Sequence, residues 1–209
     1  MKHTAIFAVI ALFIAATPLA AEETLFSGNI TNGGFGGPRI KYSSVGNSQG
    51  VFVGGRGGWI INHQFVIGGG GYGLATTIDA PSEAYDLPRF KDANIIDGLE
   101  LAFGYGGLEL EYIHAWERLI HLSVSALIGG GGVDYTEDNS EDTSQDTNGT
   151  GDSLFVFEPS VHAEINVTKW MRLNAGVSYL LVKGVDLAGL SDSDLSGGGI
   201  SMILKFGSF

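Results

Sequence analysis

Apolar and polar residues alternate with a period of two along most of the chain after residue 35. In the stretch 154–167 the odd positions are almost all apolar, whereas the even positions from Glu158 onward are polar or charged. Successive side chains of a β-strand point to opposite faces, so this pattern predicts strands. We predict eight strands, over residues 36–45, 49–61, 65–76, 97–113, 119–135, 154–167, 170–183 and 197–208.

The fourth predicted strand changes phase at Gly106 and Gly107. Its apolar residues lie at odd positions before this pair and at even positions after it: Leu99, Leu101, Phe103 and Tyr105, then Leu108, Leu110 and Tyr112. A β-bulge inserts one extra residue into a strand, and glycine tolerates the conformation that this requires. We therefore predict a bulge at the glycine pair.

The connections between the predicted strands alternate in length. Three are tight, at 62–64, 114–118 and 168–169, and three are long and polar, at 77–96, 137–153 and 184–196. Short periplasmic turns opposite longer extracellular loops are typical of outer-membrane β-barrels. An even number of strands also returns both ends of the barrel to the same side.

The N-terminus reads as a targeting segment. A positively charged start is followed by an apolar run over 5–16 and then by small residues at Ala20 and Ala21. This order is that of a secretory signal peptide, and the run is too short for a membrane-spanning helix, which needs about 20 residues. We expect a signal peptide over 1–21, a periplasmic lead-in over 22–35 and a barrel over 36–209.

Composition narrows the classes of function. The chain carries 11 Lys+Arg and 23 Asp+Glu, a net charge of −12, which argues against a nucleic-acid partner. It has no cysteine, which excludes disulfides and thiolate metal sites. No cofactor is expected.

Aromatic residues gather near the ends of the predicted strands. We expect them to form two membrane-interface girdles, because aromatic rings favour that region of a bilayer. The group beside the short turns is Trp59, Phe65, Tyr112, Trp116, Trp170 and Phe206, and the group towards the long loops is Tyr42, Tyr72, Tyr135, Phe155 and Tyr179.

With this architecture the chain resembles the small eight-stranded outer-membrane barrels, the OmpA/OmpX/OmpW-like class. The resemblance implies an all-β, eight-stranded, antiparallel up-and-down transmembrane barrel with a polar lumen filled by side chains. It also implies the outer membrane of a Gram-negative-type bacterium, outer-membrane lipid and lipopolysaccharide as surroundings, and the barrel-insertion machinery as a partner during biogenesis. In that class the terminal phenylalanine usually continues the apolar alternation of the last strand. The chain departs from this pattern, because Phe209 is one step out of phase with Phe206.

If the apolar face meets lipid, the opposite face fills the lumen, and its charges separate by strand. The basic residues lie on strands one, two, seven and eight, and the acidic ones on strands four and six. In a closed barrel these form two facing walls, so we predict ion pairs across the lumen. The predicted lumenal network comprises Arg39, Lys41, Arg56, Arg172 and Lys205, then Glu100, Glu109, Glu111, Glu158 and Glu164, with His121 and His162 on the same face.

Two motifs suggest other chemistry. His121 and Ser123 resemble the His-x-Ser pair of PagL-type lipid A deacylases, but both fall on the predicted lumenal face near a periplasmic turn. The acidic loop after residue 134 partly resembles a calcium-binding loop, although Phe155 occupies the position at which an EF-hand needs glutamate. Weak divalent-cation binding is the hypothesis there, with Asp142, Asp146, Asn148 and Asp152 as its ligands.

We expect a non-enzymatic barrel with an envelope-structural or surface-interaction role. One alternative is a narrow channel for small hydrophilic or amphipathic solutes. Another is a soluble periplasmic lipocalin-like barrel, in which the apolar face would point inward to a ligand.

Overall fold

The computed structural model describes residues 30–46, 48–93, 95–137 and 152–209. Eight antiparallel strands form one closed barrel in chain order, and β1 closes it by pairing with β8. The strands are β1 Asn32–Val45, β2 Ser48–Ile61, β3 Phe65–Leu74, β4 Leu99–His114, β5 Ile120–Glu137, β6 Asp152–Asn166, β7 Met171–Lys183 and β8 Gly197–Ser208. A short 3-10 helix, Ser82–Asp86, precedes helix α1, Pro88–Asp92, and helix α2 is Asp192–Leu195. None of the helices in the described ranges is long and apolar enough to span a membrane.

The predicted number and order of strands are confirmed, but β1 begins earlier than expected. Residues 32–35, assigned by sequence to the lead-in, pair with β2, and Phe35 is buried in the lumen. The alternation is hidden here because Phe35 is flanked by glycines, which have no side chain to show a period. The signal peptide and most of the lead-in lie outside the described residues.

The predicted bulge in β4 is wrong. Gly106 and Gly107 pair without interruption with Gly71 and Gly70 of β3, and with Gly130 and Gly129 of β5. Odd positions of β4 face the lumen on both sides of the glycine pair, from Leu99 to Ile113. The apparent change of phase is a change in the lumen itself, from apolar at one end of the barrel to charged in the middle.

The outside of the barrel is apolar. Large apolar side chains alternate outward on every strand, among them Ile40, Val53, Ile67, Leu110, Val124, Val161, Val177 and Met202. The soluble lipocalin-like alternative needs the reverse arrangement and is therefore wrong.

The two ends of the barrel differ. At the turn end, tight connections join β2 to β3, β4 to β5 and β6 to β7, and Asn62, His63 and Ala115 there adopt positive φ. At the other end, residues 75–93, 95–98 and 184–196 carry the short helices and contribute buried side chains to the barrel core. The first two ranges form the first segment and 184–196 forms the second, and we call these two segments the cap.

Candidate functional site: the lumen and its cap

The middle of the lumen is filled by ion pairs that join opposite walls. On one side, Glu158 of β6 accepts hydrogen bonds from Arg39 at 3.2 Å and Lys41 at 3.3 Å, both from β1. The hydroxyl of Tyr105 donates to the second oxygen of Glu158 at 2.6 Å and lies 2.5 Å from the Lys41 ammonium. Arg39 also donates to the hydroxyl of Tyr72 at 3.2 Å. Sequence reasoning missed both tyrosines as partners of the charges.

A second part of the network joins β2, β4 and β8. Arg56 lies 3.0 Å from Glu109 and 2.9 Å from Glu111. Lys205 bridges two carboxylates, at 2.8 Å from Glu111 and 2.5 Å from Glu164.

Glu164 of β6 is the most heavily bonded acid of the lumen. Besides Lys205, it accepts from Arg172 at 2.8 Å, from Asn174 at 3.0 Å and from His121 at 3.0 Å. Its side chain is fully buried. Charges buried in this way are tolerated only when they are paired and hydrogen-bonded.

The structure brings the predicted lumenal residues together, with Glu100 as the exception. The other predicted residues are all buried inside the barrel: Arg39, Lys41, Arg56, Glu109, Glu111, His121, Glu158, His162, Glu164, Arg172 and Lys205. Glu100 lies at an even position of β4, on the outer face, and forms an isolated β-bridge with Asp79. The predicted lumenal position of Glu100 is wrong, because the apolar residues before the glycine pair face the lumen and not the lipid.

An aromatic and aliphatic cluster closes the turn end. Phe35, Ile60, Val66 and Ile113 form its buried part, with Trp116 and Phe209 packed against it. The ring of Phe209 stacks on Phe35 at 6.4 Å, and the Arg172 guanidinium lies 4.1 Å from the Phe209 ring centroid. Phe209 is thus out of phase with Phe206 because it turns inward and plugs the barrel.

The cap end is closed by an apolar core. The Phe52 ring packs edge to face against two other rings at the cap end of the lumen, at 5.6 Å from Phe103 and 5.9 Å from Tyr105. Four cap residues are buried against this core: Ala84, Phe90, Leu187 and Leu195. The long connections at 77–96 and 184–196 are therefore folded lids over the barrel.

Polar contacts anchor the cap to the strands. Arg89 donates through both terminal nitrogens to Asp134 of β5. The Tyr135 hydroxyl donates to the carbonyl oxygen of Ala188 at 2.6 Å, and Gly46 donates to the carbonyl oxygen of Asp194 at 2.5 Å.

Within the second cap segment, Asp192 accepts from the backbone amides of Gly184 and Val185 and from the Lys183 ammonium. These bonds, with that from Val185 the largest influence, hold the pKa of Asp192 below its usual range.

Most of the predicted girdle residues point outward. Near the turn end, Trp59, Tyr112, Trp170 and Phe206 are exposed and Phe65 is half-buried against Tyr112. Tyr42, Phe155 and Tyr179 are exposed on strands nearer the cap.

Three of the aromatic assignments need correction. Trp116 stacks on His63 at 4.1 Å and packs against the plug, because the tight turn folds it over the mouth of the barrel. Tyr72 and Tyr135 point into the barrel, since they occupy lumenal positions of β3 and β5.

The structure also bears on the two other hypotheses, the His-x-Ser pair of a deacylase and the cation-binding loop. His121 and Ser123 are buried at 4% and 1% exposure and face the lumen, where the barrel wall separates them from any lipid substrate. Of the cation-loop residues, Asp142, Asp146 and Asn148 lie outside the described part of the chain, and Asp152 accepts a bond from the amide of Asp186. Among the described residues there is no group of three potential metal-ligating side chains.

Comparison with known proteins bears on the fold. The chain matches no protein-family model and no curated protein by sequence. Its structure is similar to that of Neisserial surface protein A, NspA, with a TM-score of 0.56 at 12% identity over 86% of this chain and 99% of NspA. The fold is that of the small eight-stranded outer-membrane barrels.

Two further solved structures match less closely. The attachment invasion locus protein Ail of Yersinia pestis has a TM-score of 0.46 at 9% identity, over 84% of this chain and 97% of Ail. The N-terminal barrel domain of Pseudomonas aeruginosa OprF also has a TM-score of 0.46, at 10% identity over 83% of this chain and 96% of the domain.

Proposed function

We propose that this protein is a non-enzymatic, closed outer-membrane barrel that supports the envelope and presents its folded cap at the cell surface. The observation that carries the proposal is the combination of an apolar exterior with a lumen that side chains close at both ends and across its middle. Side chains of the turn-end plug, the ion-pair network and the cap core occupy successive levels of the barrel. The closed lumen favours a structural or surface role over the narrow channel.

The exterior supports a place in the membrane. Exposed aliphatic side chains lie on all eight strands, with outward aromatics towards both ends. A monomer in water rarely exposes so large an apolar patch, whereas a lipid bilayer solvates it. Outer-membrane lipid and lipopolysaccharide would surround this band, and the barrel-insertion machinery would deliver the chain to it.

The cap supports a surface role. In outer-membrane barrels the longer loops face outward and the short turns face the periplasm. By that rule the cap is extracellular, and its described part carries many more acids than bases. NspA, which shares the fold, is named as a surface protein. A preorganised cap loses less conformational entropy on binding than mobile loops would.

The proposal is tested by locating the protein and then its two ends. The membrane fraction is extracted with and without detergent, and the extract is run on gels before and after boiling. We expect detergent-dependent release and a band whose mobility changes on heating. Release without detergent and an unchanged band would contradict the proposal.

Orientation is tested with a membrane-impermeant amine reagent on intact cells. Lys91 lies in the cap with its side chain 70% exposed, whereas Lys169 is exposed in a tight turn at the opposite end. We expect peptide mapping to show modified Lys91 and unmodified Lys169 in intact cells, and both modified after lysis. Modification of Lys169 alone in intact cells would contradict the outward cap.

A further inference from the structure

One lumenal position stands beside a set of unpartnered polar groups. Gly176 of β7 faces the lumen and pairs with His162 on β6 and with Ser201 on β8, and Asn174 precedes it on the same face. A Cβ at residue 176 would overlap the carbonyl oxygen of Val161 and the ring of His162. Glycine is therefore what lets the imidazole of His162 lie against this part of the wall.

The neighbours of Gly176 carry buried atoms that lack hydrogen-bond partners. Within the described part of the chain, neither ring nitrogen of His162 has a partner, and nor do the Ser201 hydroxyl and Oδ1 of Asn174. These three residues are 1%, 5% and 0% exposed. Leaving one such group unsatisfied costs about 1–3 kcal/mol, so several side by side indicate something that binds them.

Buried positive charge exceeds buried negative charge among the described residues of the lumen. Within the described ranges, five basic side chains and four carboxylates are buried there: Arg39, Lys41, Arg56, Arg172 and Lys205 against Glu109, Glu111, Glu158 and Glu164. The other three acids share Arg56, Lys205 and Arg172, whereas Glu158 alone faces both Arg39 and Lys41. The surplus positive charge is therefore on β1.

This surplus lies next to the unpartnered groups. In the register of β1 with β8, Lys41 lies opposite Ser201, and Arg39 lies opposite Ile203, the next lumenal residue of β8. Nε of Arg39 also has no hydrogen-bond partner among the described residues. Unpartnered donors and an uncompensated positive charge thus occupy one region of the wall formed by β1, β8, β7 and β6.

We propose that the lumen beside Gly176 binds a small monovalent anion of the size of chloride, together with water. The Ser201 hydroxyl, one N–H of His162 and Nε of Arg39 donate to the anion. Asn174 Oδ1, an acceptor, receives a hydrogen bond from the accompanying water. One negative charge balances the surplus beside Glu158.

The test uses the folded, full barrel in detergent micelles, with chloride replaced stepwise by gluconate at constant ionic strength. The probe is sodium chloride, and the readout is the midpoint temperature at which the heat-modifiable gel band shifts. A ligand bound to the folded state raises this midpoint in proportion to the logarithm of its concentration above its dissociation constant. We expect the wild-type midpoint to rise with chloride.

Two variants separate a specific site from a general salt effect. Ser201→Ala removes one proposed donor, and we expect it to need about tenfold more chloride for the same rise, the effect of one lost hydrogen bond. Ser125→Ala is the matched control, because Ser125 is an equally buried lumenal serine that is already bonded to Ser160 and Glu109. Its chloride response should equal that of the wild type.

Crystals grown with bromide give a second readout that does not depend on stability. We expect an anomalous peak between Ser201 and His162. No chloride dependence in the wild type, or the same dependence in Ser201→Ala, would overturn the proposal and leave water alone as the partner of these groups.

Discussion

Buried charge determines which single residues matter most in this barrel. Glu164 holds Lys205, Arg172, His121 and Asn174 at once, and so joins the β5, β7 and β8 walls to β6. Removing one partner of a buried ion pair leaves the other charge without compensation, which is far more costly than losing an exposed pair.

We predict that Glu164→Gln lowers the free energy of unfolding by about 3–5 kcal/mol, the usual cost of breaking a buried pair. Glu100→Gln is the control, because Glu100 lies on the outer face, and it should change stability by less than about 0.5 kcal/mol. Urea titration of the detergent-solubilised barrel measures both. Equal effects of the two substitutions would show that the lumenal network is not what holds the walls together.

At this scale, sequence alternation could place most of the lumenal residues. It failed where the lumen changes character, because an apolar residue such as Phe103 inside the upper barrel looks the same in sequence as one facing lipid. The partnership of Tyr105 with Glu158 could not be predicted either, since it depends on the relative heights of β4 and β6.

The cap is the element in which structure and sequence pattern differ most. Its segments are polar on average and have no regular period, so the sequence predicts solvated loops. Instead, a few buried apolar residues hold these segments against the barrel: Ala84, Phe90, Leu187 and Leu195. Such packing depends on contacts between distant parts of the chain, which a local pattern does not contain.

We predict that Phe90→Ala loosens the first cap segment, because a buried phenylalanine contributes about 3–5 kcal/mol to its packing. Trypsin should then cleave after Lys91 much faster than in the wild type. Ile96→Ala is the matched control in the same segment, since Ile96 is 79% exposed, and its cleavage rate should stay unchanged. Mass spectrometry of the fragments identifies the site, and equally slow cleavage of both variants would argue against a packed cap.

The second cap segment should respond to acid. Because the pKa of Asp192 is lowered in the folded state, its contribution is present above the unfolded pKa, about 3.9, and is lost as pH falls through the lower folded value. We expect hydrogen-exchange protection of the Gly184 and Val185 amides to be constant near neutral pH and to fall below about pH 4. In Asp192→Asn this acid-dependent step should disappear, and a step that persists would assign it to another group.

For the whole molecule, the sequence could predict eight strands and their order, because length, alternation and turn spacing all agree with one closed barrel. The charge pattern also predicts the ion pairs across the lumen, but not the two apolar layers that close the ends of the barrel. Closure has three separate physical causes: the Phe35 and Phe209 plug, the ion pairs and the apolar core beneath the cap.

Each of these three layers should be able to block the lumen when another is weakened. We predict that Phe209→Ala removes part of the plug without opening a path, because the Arg56, Glu111 and Lys205 cluster still fills the section above it. The variant should retain the heat-shifted band and give the same single-channel baseline as the wild type. Stable current steps in the variant alone would mean that the plug is the only barrier.

The central claim, a membrane barrel with a closed lumen, is tested most directly by reconstituting the wild-type protein into planar lipid bilayers. Insertion is verified separately by the heat-dependent band shift of protein recovered from vesicles of the same lipid. We predict inserted protein and no discrete current steps above the bare-bilayer baseline. Reproducible steps from the inserted wild type would contradict the closed lumen and would favour the narrow channel instead.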